Sequence, residues 1–298
     1  MRKCPWGRAA LFALTGLLPS LPGAAGTPAE RGRYLVTTIL ACGNCHSPRA
    51  ADGSPLPGRE LSGGLAFDTP AFTATAANIT PDPDTGIGRW SDEEIARALT
   101  EGVRPGHAAL GGVPLAAIMP AGFYKALTPA DLAAVVAYLR SVPPVRNAVP
   151  PPVYKLPAVH ARYPDAERRY DETTLRDPVV RGAYLATIGH CMECHTPRVR
   201  GVSDYETAMG RGGVEFSPAL VQGIGAGFTS STSSNITSHP VAGIGAWSDG
   251  EIRRAIADGV SRDGRRLRPP MAFRYYANMA EDDLDALVAW LRTVPPLP

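Results

Sequence analysis

Cys42-Gly43-Asn44-Cys45-His46 and Cys191-Met192-Glu193-Cys194-His195 are two copies of one pattern, C-x-x-C-H, and the rest of the chain aligns outward from them. Upstream, Arg31-Gly32-Arg33-Tyr34-Leu35 returns as Arg181-Gly182-Ala183-Tyr184-Leu185. Downstream, each motif is followed by a Pro-Arg pair, Pro48-Arg49 and Pro197-Arg198, and then by Asn78-Ile79-Thr80 against Asn235-Ile236-Thr237. Gly86-Ile87-Gly88-Arg89-Trp90-Ser91-Asp92 matches Gly243-Ile244-Gly245-Ala246-Trp247-Ser248-Asp249, and Leu139-Arg140 and Leu291-Arg292 open the two closing segments. Repetition on this scale identifies the folding unit before any secondary structure is assigned. The offset between copies is 149 residues at the first cysteines (191 − 42), 157 at the asparagines (235 − 78) and 152 at the closing leucines (291 − 139). The second copy therefore gains 8 residues after its motif (157 − 149) and loses 5 before its last helix (157 − 152), in Gly/Pro-rich sequence where loops absorb such changes. The longer loop contains Gly223-Ile224-Gly225-Ala226-Gly227, a poor nucleotide-binding candidate without a strand before it.

Within each copy the helix signals are local. Ser91-Asp92-Glu93-Glu94 and Ser248-Asp249-Gly250-Glu251 are capping boxes, each opening a short helix. Thr128-Pro129 sets a cap before a proline at the first helical position, and Leu132, Val135, Val136 and Leu139 follow at i, i+3, i+4 and i+7. Leu284, Leu287, Val288 and Leu291 repeat that stripe. The period-2 alternation of strands is largely absent, so the expected fold is all-α. A length of 298 residues suits two such domains, each large enough for its own core. Between the copies, Pro143 to Pro178 carries Pro150-Pro151-Pro152 and reads as an extended, stiff linker. It also holds Tyr154, Leu156, Tyr163 and Tyr170, which give it something to bury, so packing along both domains is an equal expectation.

Arg2, Lys3 and Arg8, the apolar run Ala9 to Leu21 and the small residues Gly23-Ala24-Ala25 read as an export signal over residues 1–25, too short for the ~20 apolar residues of a membrane span. Cys4 would leave with it. Removing three basic and no acidic residues leaves 27 Lys+Arg (30 − 3) against 28 Asp+Glu, a balance with no basic excess for nucleic acid.

The four cysteines outside that signal all lie in the two motifs. C-x-x-C-H is the attachment pattern of c-type haem: two thiols add to the vinyl groups and the adjacent histidine ligates the iron. Cys42, Cys45, Cys191 and Cys194 are thus the expected covalent attachment points of two haems c, and His46 and His195 the proximal ligands. A redox disulfide or a zinc site is the competing reading; the first asks for strands around the motif, and the second leaves the repeated histidine unexplained. For the sixth ligand, Met119 precedes the last helix of the first copy, and Met271 aligns with it in the second. Met279 is the rival, aligned with Leu127 and so read as core packing. Histidine/methionine ligation fills both axial positions, which suits electron passage rather than bond chemistry.

Each half resembles a class I cytochrome c domain, and the pair is similar to the cytochrome c subunits of bacterial membrane-associated alcohol, gluconate and aldehyde dehydrogenases. The resemblance implies two tandem class I domains joined by a Pro-rich linker: signal 1–25, domain 1 over 26–145, linker 146–178 and domain 2 over 179–298. It implies that Gly32 and Tyr34 lie on an N-terminal helix crossing the C-terminal helix at Tyr138, with Gly182, Tyr184 and Trp290 doing the same. It further implies that Asn78, Trp90, Asn235 and Trp247 line the haem edges near the propionates. Those subunits commonly carry three haem motifs and a membrane-binding segment; this sequence has two motifs.

The expected function is periplasmic electron transfer, with a dehydrogenase as donor, a quinone, oxidase or another cytochrome as acceptor, no nucleic-acid partner, and peripheral membrane association through a partner. Propionates would add negative charge and favour docking to a basic patch. The alternative is a dihaem enzyme of the peroxidase or thiosulfate dehydrogenase type with one open or unusual haem site. Its only support is the remaining histidines: His107 in the loop before Met119, His190 beside the second motif, and His160 and His239, read as exposed.

Overall fold

In the computed structural model, which describes Met1 and residues 27–106, 112–160 and 162–298, both halves are built on one helical plan. The expected signal, Cys4 and His107 lie outside the described residues. The first half holds α1 (Pro28–Tyr34), α2 (Gly43–His46), α3 (Asp92–Thr100), α4 (Ala121–Tyr124) and α5 (Pro129–Ser141). The second holds α6 (Pro178–Ile188), α7 (Cys191–His195), α8 (Asp249–Ala257), α9 (Phe273–Tyr276) and α10 (Glu281–Leu291). The caps form as the sequence dictates. The Ser91 hydroxyl accepts from Glu94 N at 3.1 Å while the Glu94 carboxylate accepts from Ser91 N at 2.7 Å, and Ser248 and Glu251 repeat the exchange. Thr128 caps α5 by accepting from Asp131 N.

In each half the first and last helices cross at a glycine. A Cβ on Gly32 would stand 1.8 Å from Ala134 O, and one on Gly182 1.9 Å from Ala286 O, with Tyr138 and Trp290 against the same two glycines. Hydrogen is the only substituent that admits this approach. Val135, Val136 and Leu139 of α5, and Leu287, Val288 and Leu291 of α10, are buried along the expected stripes.

An all-α fold is not what forms. Among the described residues there are ten short strands in four sheets: β1 (Ala66–Asp68), β2 (Phe72–Thr75), β3 (Val103–Arg104), β4 (Val113–Pro114), β5 (Val153–Tyr154), β6 (Arg198–Val199), β7 (Val202–Ser203), β8 (Glu215–Phe216), β9 (Val221–Gln222) and β10 (Ser231–Thr232). The architecture is mixed. Strands of two to four residues give alternation no room to be read from sequence, and their partners lie far along the chain. The largest sheet runs β5-β2-β1-β9, antiparallel throughout where pairs are resolved, and joins the linker, the first half and the second half. It buries Phe67, Phe72, Ala74 and Val221 on one face.

The linker packs along both halves. Besides β5, it buries Tyr163 (1% exposed) and Tyr170 (6%). Tyr163 stacks on Phe123 with ring centroids 4.7 Å apart, and Tyr170 tilts against Tyr184 at 5.1 Å. Leu156 stays exposed. The Gly-rich loop of the second half also finds a use: Ala226 N donates to Ala51 O at 2.7 Å, so the inserted segment clasps the first half.

Candidate functional site

Each cysteine motif begins at a single left-handed residue. Ala41 (φ 47°) precedes Cys42 and His190 (φ 44°) precedes Cys191, and in both places the chain leaves one helix and starts the next within two or three residues. The approach differs in detail: α1 continues into a π-helical turn over Leu35–Ile39, whereas α6 runs regularly to Ile188. In both, a helix rather than a strand delivers the motif, unlike a thioredoxin-type site.

All eight expected site residues line one cavity of about 1630 Å³. A pocket for one ligand of ordinary size spans roughly 300–1,000 Å³, so this space is large enough for two bulky groups. Its walls are mostly apolar and include Leu65, Phe67 and Phe72 of the shared sheet. His46 Nδ1 lies 2.7 Å from Ala77 O and His195 Nδ1 2.8 Å from Ser234 O. A carbonyl can only accept, so each Nδ1 carries the hydrogen and each Nε2 keeps a lone pair. Burial lowers both imidazoles below their ordinary range, which keeps them neutral. A buried, neutral imidazole oriented by a backbone carbonyl is the form a metal ligand takes.

None of these four sulfurs is in a disulfide. Burial pushes Cys42 and Cys191 up to about 12; burial with the nearby Glu193 carboxylate takes Cys45 to about 11, and Cys194 rises for the same two reasons. A disulfide oxidoreductase needs the opposite shift, toward thiolate. Among the described residues no group of three or more His, Cys, Asp or Glu side chains is arranged to hold a metal ion, so the zinc alternative finds no site. The residues present fit haem c: paired cysteines and an oriented imidazole in each half, facing one apolar cavity.

Met119 and Met271 occupy equivalent places, each just before the residue that caps a four-residue helix, Pro120 for α4 and Ala272 for α9. Met279 also lines the cavity, but it follows α9 as the buried Leu127 follows α4. Asn78 lines the cavity, while Asn235 is not among its lining residues. Asn78 Oδ1 accepts from Thr80 N and Thr80 Oγ1, and its amide donates to Thr85 Oγ1 and Val145 O. Asn235 makes the corresponding bonds to Thr237 and to Leu297 O. Both tie the Asn-Ile-Thr turn to the closing segment. Trp90 and Trp247 do line the cavity, and their carbonyls accept from Arg140 and Arg292 of the last helices.

Two further histidines lie at the cavity, and His160, read from sequence as exposed, is not. His160 is half-buried and its Nδ1 donates to Met119 O at 3.0 Å, so the linker holds the backbone of a candidate ligand. His190 packs edge-on to Phe123 and Tyr124 of the first half, 6.5 and 6.2 Å between centroids, with Nδ1 3.1 Å from the buried Glu193 carboxylate. Neither contact leaves a signal in sequence, since each joins segments far apart along the chain.

The family model "Cytochrome c" matches this chain twice, over residues 29–143 and 179–295. Among curated proteins, the cytochrome c subunit of a quinone alcohol dehydrogenase from Gluconacetobacter polyoxogenes is 29% identical over 99% of this chain and 62% of its own length. The fructose dehydrogenase cytochrome subunit of Gluconobacter japonicus is 30% identical over 92% of this chain and 54% of its own. A diheme cytochrome c-type protein of Cereibacter sphaeroides is 29% identical over 85% of this chain and 82% of its own. The chain thus spans about three fifths of the dehydrogenase subunits it matches. No helix among the described residues is long and apolar enough to cross a membrane.

Proposed function

The chain belongs to the cytochrome c family, with two cytochrome c domains, and from that premise we propose that it carries electrons through two covalently bound haems c as the partner of a periplasmic dehydrogenase. Domain 1 would occupy 26–145, the linker 146–178 and domain 2 179–298, after an export signal over 1–25. Cys42 and Cys45 would hold one haem, Cys191 and Cys194 the other. His46 with Met119, and His195 with Met271, would be the axial pairs. The bound haem supplies reversible one-electron chemistry at iron.

What the chain contributes follows from its residues. Ala77 O and Ser234 O fix the imidazole tautomers. The thioethers of Met119 and Met271, being soft and neutral, would raise the reduction potential relative to a second imidazole. The apolar walls exclude water and lower the local dielectric. Curated relatives are named as cytochrome subunits of alcohol, fructose and gluconate dehydrogenases, which supports a dehydrogenase as donor. A quinone, an oxidase or another cytochrome would be the acceptor, with membrane association through the partner.

The observation that carries this reading is the pair of C-x-x-C-H helices whose histidines present Nε2 to one apolar cavity shared with both methionines. The test is spectroscopic. The oxidised protein should show the near-infrared methionine-to-iron band, and Met119→Ala and Met271→Ala should each remove part of it, while Met279→Ala leaves it intact. Rapid cyanide binding to the unmodified protein, or a colourless preparation from haem-competent cells, would overturn the reading.

A further inference from the structure

The two domains grip each other through one pair of groups used twice. Tyr34 Oη on α1 donates to Asp283 Oδ2 on α10 at 2.6 Å, and Tyr184 Oη on α6 donates to Asp131 Oδ2 on α5 at 2.5 Å. The tyrosines occupy equivalent places in the repeat, and so do the aspartates. The contact is therefore isologous, the within-chain counterpart of a twofold dimer interface. Each carboxylate also binds an arginine of its own domain: Arg31 Nε and Nη2 reach Asp131 at 2.8 and 2.9 Å, and Arg181 Nη2 reaches Asp283 at 2.5 Å. The aspartate side chains are 9% and 4% exposed. Each is thus a junction of three helices: the first and last helices of its own domain and the first helix of the other. Charge-assisted hydrogen bonds sheltered from water are among the strongest that side chains make.

The cysteine motifs meet across the same boundary. Asn44, inside the first motif, donates to Pro270 O, the residue before Met271, at 2.8 Å. Cys45 and Cys194 pack on the same apolar cluster, which includes Leu65, Phe67 and Val221. A proline-rich linker would let two tethered domains dock and part; the reciprocal junction opposes that.

We propose that Tyr34, Asp131, Tyr184 and Asp283 are positioning residues that hold the two haem sites at one fixed separation, so that an electron crosses between domains without domain motion. This inference rests on the two-haem reading above. Its consequence is a protein that behaves as one two-centre conductor, not as two carriers on a string.

The test uses the full-length, haem-loaded protein. Two haems held rigidly near each other give a bisignate Soret circular-dichroism couplet, which the summed spectra of the single-haem variants C42S/C45S and C191S/C194S cannot give. Wild type should show the couplet and a single unfolding transition. Y34F/Y184F should keep two haems per chain and the methionine band, yet lose the couplet and unfold in two transitions. Should the double variant fail to accumulate, Y34F alone, which leaves the Tyr184 bond in place, should show a partial loss. The proposal is overturned if wild type equals the sum of its single-haem spectra, or if Y34F or Y34F/Y184F leaves couplet and unfolding unchanged. Wild type with two intact methionine-ligated haems and no couplet sinks the fixed separation alone; missing haem or a missing methionine band sinks the carrier reading instead.

Discussion

The first domain's cavity wall is finished from outside the repeat, by β5 of the linker and by His160 against Met119 O, whereas the addition peculiar to the second domain runs the other way. Its longer post-motif loop supplies β9 to the first domain's hairpin and Ala226 N to Ala51 O. What the copies share is the machinery of attachment: the left-handed residue before each motif, the carbonyl-bound histidine, the Asn-Ile-Thr tie, the capping box and the glycine crossing. What they do not share is spent on joining them. A duplicated unit thus keeps its chemistry in the repeated residues and adds its insertion and linker to the interface that the repeated tyrosine–aspartate pairs begin.

The sharpest way to break the comparison is to remove one attachment site. C191S/C194S should yield a protein with one haem per chain, read as a loss of one haem mass and half the pyridine haemochrome absorbance, while the first domain keeps its methionine band. C42S/C45S should do the converse. Loss of both haems from either variant would show that the copies depend on each other to fold, and the notion of an autonomous repeated unit would fail.

Next in size is the helix crossing. Gly32→Ala and Gly182→Ala each drive a methyl into a backbone carbonyl, at 1.8 and 1.9 Å before relaxation. Overpacking of this kind costs about 1–3 kcal/mol, and more where backbone must move. Thermal unfolding should report similar losses for the two, because Tyr138 and Trp290 leave the glycines equally little room. A loss confined to one variant would mean that the crossings are not equivalent.

Much of this is legible in the sequence. The glycines, caps and apolar stripes are local, set within a turn or two of helix, and so were the paired motifs and the aligned methionines. The strands were not, because Phe72-Thr73-Ala74-Thr75 is only one stretch of four, and its partners Val153 and Tyr154 stand some eighty residues away in the linker. Nor was the destination of the Tyr34 and Tyr184 hydroxyls: the resemblance implies only that these residues lie on helices that cross within each domain, and the structure sends their hydroxyls across the boundary. The ties made by Asn78 and Asn235 were hidden for a related reason: Val145 and Leu297 take part through backbone carbonyls, which sequence does not mark.

A smaller effect should distinguish the domains. His160→Ala removes the bond to Met119 O, worth roughly 1 kcal/mol for a hydrogen bond of this kind, and has no counterpart in domain 2. It should weaken the methionine band of one haem only, and Met271→Ala in the same background should then remove what remains sharp. Equal weakening at both haems would show that the linker acts on the whole molecule and not on the first ligand loop.

The smallest effect tests an exchange already made between the copies. In domain 1, Asp82 Oδ1 accepts from Asp84 N, Thr85 N and Thr85 Oγ1; in domain 2 the equivalent His239 uses Nδ1 to accept from Val241 N and Ala242 N. The Thr85 hydroxyl and amide hold the Asp82 carboxyl below its ordinary range. A carboxyl whose pKa is lower folded than unfolded stabilises at pH above the unfolded value of about 4 and loses that contribution as pH falls through the folded value. Installing the same group in domain 2, by His239→Asp, should therefore be neutral within about 0.5 kcal/mol at pH 7, as surface substitutions are when their bonds are kept. It should also give domain 2 an added loss of stability below pH 4, seen by unfolding the wild type and variant across an acid series. If His239→Asp costs as much at pH 7 as His239→Ala, the two side chains are not interchangeable acceptors, and the turn reads histidine for something other than its lone pair.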